Sequence, residues 1–372
     1  MHPASVRFGS SRSPDPSTAI AEVRAAIDQP GLAAVLLFCS PAYDLDALGR
    51  EIGGAFPCPV IGCTSAGQIG RSGYQRGGVT AASIASQRLA AHPLLIEPLT
   101  ECHQRVAAVA ATARALVERF PAGRRAFGVL LADGLSLTEE ALVATLYQSL
   151  GDVPIVGGSA GDDLSFTRTA VYWEGRFLSN AAVFTVFETS HAFSAFKLQH
   201  FRPGARRLVI TAADPAARQV FEIDGYPAAE AYAAAIGVPE AELDSAAFSA
   251  HPLMLRIGGN HYIRSISKVG ADRSLAFFCA IDEGLVLAVG EAEDPLAALE
   301  RGFAAATREL GRPAIVLGCD CILRRLELEA KGLDTPAGQL LADWNVMGFS
   351  TYGEQLNSVH VNQTFTGLAL GG

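Results

Sequence analysis

Two groups of polar residues near the C-terminal end of the chain have the chemistry to bind a small charged molecule. Arg256 and Arg264 lie on neighbouring predicted strands, and arginine suits bidentate binding of a carboxylate. Tyr352, Glu354 and Asn362 follow a later predicted strand and can hydrogen-bond a carboxylate or an amine. Surface ion pairs are the alternative interpretation of these residues, and the sequence alone leaves both open.

The histidines and cysteines show no spacing typical of a metal site. The chain has eight histidines but no H-x-x-H or H-E-x-x-H pattern, so a dedicated zinc site is not expected. Among its seven cysteines only Cys319 and Cys321 form a close pair, which is half a metal site. The others stand singly, mostly in apolar stretches, and we expect all of them to be reduced thiols.

Catalysis and nucleotide binding find little support in the sequence. Cys63 and Cys319 each lie at a strand end, but neither has a histidine or lysine nearby to act as a base. The counterpart of Cys63 in a second repeat is Gly158, which favours packing, so a cysteine-dependent enzyme is the less favoured alternative. The stretch GGSAGDD lacks the G-x-G-x-x-G spacing of a dinucleotide-binding loop, and its aspartates would repel phosphate.

The composition disfavours several classes of partner. A formal net charge of −9 argues against nucleic acid and anionic membrane surfaces. Apolar residues make up 49% of the chain, enough for large cores. No apolar run reaches the length of about 18 residues that a membrane span needs. Residues 1–24 are polar and lack the apolar core of a signal peptide, so they predict a disordered lead-in and a cytoplasmic protein.

A repeated pattern of strands and helices organises these elements. VLLFCS, a helix over residues 42–55 and PVIGCTSAG recur as VLLADG, a helix over residues 139–150 and PIVGGSAG. A weaker third copy of the pattern, AIVLGCD followed by VMGFSTYGE, lies near the C-terminus. Short apolar strands that alternate with helices predict an α/β architecture.

We predict two domains, joined near residues 191–206, where proline, glycine and arginines cluster. Residues 25–195 form the first domain, a pseudo-duplicated α/β unit. Residues 196–372 form the second domain, which is predicted to be α+β. Its middle part contains short strands with regularly spaced turn signals, which is typical of an antiparallel meander sheet.

The same motifs resemble those of a known family. GCTSAG with the later GGSAGDD, FEIDGYPAAEAY, and GFSTYGEQ followed by NQTFTGLAL are similar to the FIST N and FIST C domains, in that order. The resemblance covers about residues 25 to 371, and GFSTYGE followed by NQTFT is its most specific part. Members of this family are expected to be ligand-binding sensors of signal transduction, not enzymes.

A narrower resemblance concerns the ligand and the partner. QHFRP, AIDEGLVL, LGCDCILRRLE and the C-terminal GFSTYGEQ region are similar to a nitric-oxide-sensing subgroup of FIST proteins. This resemblance implies bound heme, a response to nitric oxide or to heme, and a separate histidine kinase or cyclic-di-GMP enzyme as partner. The oligomeric state stays open, with a homodimer among the options.

A heme iron needs one neutral imidazole at the edge of an apolar pocket. His360, His200 and His251 each lie beside apolar or aromatic residues, and His360 and His200 are the favoured iron ligands. His360 follows a strand end, where α/β proteins commonly bind ligands, and His200 lies in the subgroup motif QHFRP. A hydrogen-bonded structural histidine is the alternative at each position. The alternative ligand is an amino acid or another small carboxylate, held by the arginines and loop residues named above.

Overall fold

One α/β unit occurs three times in this chain, of which a computed structural model describes residues 4–372. Copy 1 contains these elements: β1 (Ser5–Ser11), α1 (Pro16–Ile27), β2 (Leu32–Cys39), α2 (Leu45–Ala55), β3 (Val60–Thr64), β4 (Gln68–Gly70), β5 (Gly73–Gln75) and β6 (Val79–Ala85). Copy 2 repeats the same order, with a short 3-10 turn before its first α-helix: β7 (Leu89–Ile96), α3 (Cys102–Val117), β8 (Arg125–Ala132), α4 (Glu139–Leu150), β9 (Ile155–Ser159), β10 (Val171–Trp173), β11 (Arg176–Leu178) and β12 (Ala182–Thr189).

An inserted domain splits copy 3 after its first strand, β13 (Phe193–Leu198). The inserted domain contains these elements: β14 (Phe201–Asp214), β15 (Gln219–Ile223), β16 (Tyr226–Pro227), α5 (Ala228–Ile236), α6 (Ser245–Ala250), β17 (Leu253–Ile257), β18 (Asn260–Arg264), β19 (Ile266–Val269), β20 (Leu275–Phe277) and β21 (Val286–Ala292). Copy 3 then resumes with these elements: α7 (Pro295–Ala306), β22 (Ile315–Cys321), α8 (Ile322–Ala330), α9 (Asp334–Asp343), β23 (Val346–Thr351), β24 (Glu354–Leu356), β25 (Val359–Val361) and β26 (Phe365–Leu370).

Local sequence explains where several of these helices begin. The carboxylates of Asp15, Asp44 and Asp294 accept backbone N–H groups in the first turns of α1, α2 and α7. An aspartate at this position satisfies donors that have no partner within the helix. A proline in the first turn of α1 and of α7 fits because its missing N–H is not needed there.

The sheet of each copy is completed by a hairpin from another copy. The sheet of copy 1 has the strand order β1-β6-β2-β3-β10-β11 and so ends in the hairpin of copy 2. The sheet of copy 2 has the order β7-β12-β8-β9-β24-β25 and ends in the hairpin of copy 3. The sheet of copy 3 has the order β13-β26-β22-β23-β4-β5 and ends in the hairpin of copy 1. The exchange is cyclic, and it joins the three copies into one body.

Backbone hydrogen bonds join the three copies where their third strands end. Three N–H groups that follow these strands donate to carbonyls of the neighbouring copy: Ala66 to Ser350 (3.0 Å), Gly161 to Thr64 (3.1 Å) and Tyr352 to Ser159 (3.2 Å). The accepting residues donate in return through their own N–H groups: Thr64 to Ala170 (2.9 Å), Ser159 to Gly353 (2.8 Å) and Ser350 to Gly67 (2.7 Å). We call these six bonds the strand-end ring.

The sheets are buried on both faces. Their inner faces share one apolar core, with contributions from every copy that include Phe38, Leu131 and Phe349. Their outer faces pack against the helices of the same copy, in three further cores. This burial explains why β2, β8 and β22 are apolar almost throughout instead of alternating.

The inserted domain is a separate antiparallel sheet with its own core. Its main path is β18-β17-β21-β14-β15-β20-β19, and β16 pairs with β15. Buried residues of α5 and α6 pack with this sheet in one cluster. The two ends of the domain meet, since the N–H of Glu293 donates to the carbonyl of His200 at 2.7 Å. No helix within residues 4–372 has the length and apolar character to cross a membrane.

The structure confirms the predicted α/β plus α+β architecture and adds to it. The third repeat, predicted as a weak echo, is a complete copy that supplies one of the three sheets. The predicted division after residue 195 lies within β13, close to the first crossing into the inserted domain. The predicted meander differs in strand order, because β21, β14 and β15 lie between its two hairpins.

The disordered lead-in predicted for residues 1–24 is wrong for the residues that the structure describes, and residues 1–3 lie outside them. β1 pairs with β6 along its full length, and α1 buries Ile20 and Val23. The segment looks polar because β1 is an edge strand with alternating exposure and α1 buries only one side. Its few apolar residues are spaced for one helix face, which average polarity does not reveal.

The glycine at the centre of each third strand is required by close backbone contact. A Cβ on Gly62 would overlap the Leu37 carbonyl oxygen on the paired parallel strand, and Gly157 and Gly348 are placed in the same way. We expect Gly62→Ala to lower the free energy of unfolding by about 3 kcal/mol or more. Gly54→Ala is the control, because a Cβ there meets nothing within 4 Å and alanine should stabilise α2 by about 0.5–1 kcal/mol. If urea unfolding gave Gly62→Ala the same stability as the wild type, the proposed strand packing would be contradicted.

Candidate functional site

Polar side chains of the β24–β25 hairpin face α4. Side chains alternate along a strand, so Gln355, His360 and Asn362 share the outer face of the copy 2 sheet. α4 packs against β25 on this face, and β18 of the inserted domain contacts β25 as well. We call the space between α4, this hairpin and Arg264 of β18 the α4 crevice.

His360 is the central side chain of the α4 crevice and is only 1% exposed. The side-chain amide of Gln355 donates to its Nδ1 at 3.3 Å, which leaves Nε2 as the nitrogen that carries the proton. Within residues 4–372, Nε2 has no hydrogen-bond partner. A Cβ on Gly353 would lie 2.6 Å from this Nε2 and 3.3 Å from Nδ2 of Asn362, so all three residues meet at one point.

Two further side chains in the crevice have buried atoms without partners. Both amide atoms of Asn362 lack a hydrogen bond to any described residue, as does Nε of Arg264. Arg264 is held in place because its Nη1 donates to the carbonyl of His360 at 3.1 Å. An unsatisfied buried polar group costs about 1–3 kcal/mol, so several together indicate a site that binds water or a ligand.

The charges around the crevice are unevenly paired. Arg218 of the inserted domain donates to Glu139 at 2.9 Å and to Glu140 at 2.6 Å, at the start of α4. Burial acts to raise the pKa of Glu140, but His360, Arg218 and the N–H of Ala280 outweigh it and lower that pKa. Arg264, by contrast, is 6% exposed and forms no ion pair with any described carboxylate. The two arginines and two glutamates balance in number, but Arg264 is left without a direct ion pair because both carboxylates contact Arg218.

The equivalent places in the other two copies are filled by the protein itself. In copy 1 the hairpin positions matching Gln355 and His360 hold Tyr172 and Phe177, which pack into the apolar core with α2. In copy 3 the position matching His360 holds Tyr74, whose hydroxyl donates to Asp320 beside Arg324. Only the α4 crevice, among the three within residues 4–372, has this set of unpartnered polar atoms.

The predicted site residues separate into three groups. His360, Asn362 and Arg264 meet in the α4 crevice. Tyr352 precedes Gly353 in the chain, and the Tyr352 hydroxyl donates to Asp162. Glu354 follows Gly353 but faces the inner core. The other three lie elsewhere: Arg256 is exposed on β17, His251 ends α6, and His200 contacts α8.

Sequence reasoning missed Arg218, Glu139, Glu140 and Gln355. The two glutamates are the first residues of α4, a helix that the repeat pattern predicts over residues 139–150, so the repeat itself could have indicated them. Gln355 lies in the GFSTYGEQ motif and could have been read from it. Nothing in the sequence indicated Arg218, because it reaches the site from another domain.

The favoured heme ligands do not fit heme in this structure. Nε2 of His200 lies 2.8 Å from a carboxylate oxygen of Glu327, and the His200 side chain is 2% exposed. The ring of His360 has a free Nε2, but the space beside that nitrogen is so narrow that a single Cβ on Gly353 would lie 2.6 Å from it. A porphyrin would need this space. Among residues 4–372 there is also no cluster of three His, Cys, Asp or Glu side chains that could hold a metal ion.

Family models match nearly the whole chain. The FIST N domain matches residues 33–226, and the FIST C domain matches residues 228–357. The chain belongs to the FIST family. FIST domains are sensor domains of signal transduction that bind small ligands. The two matches meet inside the inserted domain, just before α5, and together they include parts of all three copies but not β1, α1, β25 or β26. No curated protein matches the chain.

Glu354 of this FIST protein is a buried carboxyl at the centre of the body. It is 0% exposed, and it is hydrogen-bonded to the hydroxyls of Thr351 and Thr364. Burial raises the pKa of Glu354 to about 8, the two threonines oppose this shift, and the nearby Asp320 adds to it. The side chain is therefore largely protonated at neutral pH, where it serves as a neutral hydrogen-bonding group.

This shift makes stability depend on pH. Between the ordinary carboxyl value of 4.5 and the folded value of about 8, the folded state holds one more proton than the unfolded state. Stability from this group therefore falls as pH rises through that window. We expect Glu354→Gln to reduce the decrease in the free energy of unfolding between about pH 5 and pH 9, measured by urea unfolding. Gln at the exposed Glu309 is the matched control, and a Glu354→Gln variant with the wild-type pH slope would contradict the assignment.

Proposed function

We propose that this FIST protein senses a small carboxylate that binds in the α4 crevice. The observation that carries the proposal is Arg264, a buried guanidinium with a free Nε and no carboxylate partner among the described residues. A buried guanidinium that has no direct carboxylate contact is stabilised by an anion that supplies one. Arginine also binds carboxylates with favourable geometry.

The neighbouring groups suit a ligand that has a second polar group. Nε2 of His360 offers a donor, and the amide of Asn362 offers both a donor and an acceptor. An amino acid or a hydroxy acid would use all of them. The close approach of Gly353 to His360 and Asn362 restricts the crevice to small molecules.

The crevice is well placed to convert binding into a conformational signal. The body supplies His360 and Asn362, and the inserted domain supplies Arg264. A ligand that contacts both parts stabilises one relative arrangement, and it shifts the population by its difference in affinity between arrangements. The output is proposed to be regulation, in the cytoplasm, of a separate histidine kinase or cyclic-di-GMP enzyme, as the subgroup resemblance implies.

Heme is the second candidate ligand, because Nε2 of His360 has no hydrogen-bond partner among the described residues, and iron binding would require the tautomer in which this nitrogen carries no proton. Heme binding requires that the His360 ring move away from Gly353, because the space between them is too narrow for a porphyrin. Nucleophilic catalysis by cysteine is disfavoured, because burial raises the pKa of Cys63 and Cys319 well above its ordinary value. A titration with hemin, followed at the Soret band, separates heme from the carboxylate ligands.

A panel of small carboxylates and amino acids tests the proposed function by thermal shift and calorimetry. A ligand at about 100 times its Kd stabilises the folded state by about 2.7 kcal/mol, which raises Tm measurably. We expect at least one such ligand to raise Tm, and Arg264→Met to remove the effect. Arg256→Ala is the control, because Arg256 lies on the neighbouring strand but is exposed, and this variant should keep the ligand-induced rise in Tm. Arg264→Lys retains the charge and should bind more weakly.

Two results would contradict this function. One is a folded Arg264→Met variant that binds the carboxylate as the wild type does. The other is a protein that binds none of the panel but binds hemin, with a Soret band that His360→Ala removes.

A further inference from the structure

A loop in copy 2 has no counterpart in the other copies. In copies 1 and 3 the residue that follows the strand-end turn is Gly67 or Gly353, and the hairpin strand begins immediately after it. In copy 2 the equivalent of these glycines is Ala170. The carbonyls of Gly67, Gly353 and Ala170 all accept the N–H of the residue at the end of a third strand. Residues 162–169 are therefore an insertion between Gly161 and Ala170, and we call them the 162–169 loop.

The loop is held at its base by one carboxylate. The side chain of Asp162 accepts the backbone N–H groups of Phe166 (2.9 Å), Thr167 (2.7 Å) and Arg168 (2.8 Å). The loop is also strained, since φ is positive at the non-glycine residues Asp163 (55°), Leu164 (67°) and Phe166 (50°). The N–H of Leu164 also donates to the hydroxyl of Tyr352 at 2.8 Å, so the base of the loop is fixed and Phe166 is its exposed part.

One side chain of the loop bridges the body and the inserted domain. The ring of Phe166 stacks on Tyr352 of the body, with centroids 4.7 Å apart, and on Phe278 of the inserted domain at 6.3 Å. Phe166 is still 46% exposed, which is unusual for so large an apolar side chain. It therefore lies on the surface, across the junction of the two parts.

The two rings beneath Phe166 border the α4 crevice. Tyr352 is followed by Gly353, which packs against His360. The carbonyl of Phe278 accepts Nη1 of Arg218 at 2.7 Å, and the N–H of Ala280 donates to Glu140. Phe166 thus stacks on two residues whose near neighbours in the chain, Gly353 and Ala280, lie against His360 and Glu140 of the crevice.

We propose that the 162–169 loop is a lid over the α4 crevice, with Phe166 as its latch between the body and the inserted domain. Its role in ligand entry rests on the proposed function. An aromatic stack of this kind is weak compared with global stability, so Phe166 can swing away while the base of the loop stays bonded through Asp162. The lid opens when Phe166 leaves Tyr352 and Phe278.

Cys279 provides a reporter inside the closed lid. It is fully buried, it follows Phe278, and the charges of Arg264, Glu140 and Arg218 act on it. Burial raises the pKa of its thiol to about 11, so variants must be compared at one fixed pH. The rate at which iodoacetamide modifies Cys279 in the native protein, followed by peptide mass spectrometry, measures the opening.

We expect Phe166→Ala to increase the Cys279 modification rate about tenfold, because the latch contacts are lost. Phe166→Trp keeps a stacking ring and should restore protection. Tyr226→Ala is the control, since Tyr226 is a more exposed aromatic residue on the inserted domain, away from the lid. Cys63 and Cys319, which lie in the body core, should stay protected in every variant.

An unchanged Cys279 rate in Phe166→Ala would overturn the lid, as would equal acceleration at Cys63 and Cys319, which reports global unfolding. The experiment uses no ligand, so its outcome is independent of carboxylate binding. A protein that fails to bind carboxylates can still show the lid, and a protein without a lid can still bind them.

Discussion

The strand-end ring is the constraint on which the rest of the structure depends. Thr64, Ser159 and Ser350 each use both the N–H and the carbonyl to bond to the turn of a neighbouring copy. These bonds fix the direction in which each hairpin leaves its own copy and enters the next sheet. Since every sheet lacks its last two strands without another copy, no copy can satisfy its backbone groups alone. The third copy therefore completes the sheet of copy 2, and its own sheet is completed by the hairpin of copy 1.

The candidate site arises where three similar copies differ. The repeated fold creates three equivalent spaces between a helix and an imported hairpin. In copy 1 the space is filled by aromatic rings, and in copy 3 it is filled by a paired aspartate and arginine. In copy 2 it contains His360 and Asn362 and adjoins the inserted domain. Duplication thus supplies a rigid frame, and substitution at one position of that frame supplies a polar crevice.

The sequence indicated the parts of this structure that depend on local pattern. The repeated strands, the matching of Gly62 with Gly157 and the importance of the GFSTYGEQ region were all readable. The exchange of hairpins could not be predicted from the sequence. β4 pairs with β23, and the residues that pair are far apart in the chain. For the same reason His200 looked like a free ligand, whereas Glu327 from a distant helix occupies its Nε2.

Native-state hydrogen exchange tests most directly whether the three copies form one cooperative unit. The amides to compare are those of the strand-end ring, namely Ala66, Gly161, Tyr352, Thr64, Ser159 and Ser350. If the cyclic exchange of hairpins holds the body together, all six open only in global unfolding and exchange with one common free energy. If the amides of one copy exchange with a distinctly lower free energy than those of the others, the copies unfold separately and this account is contradicted.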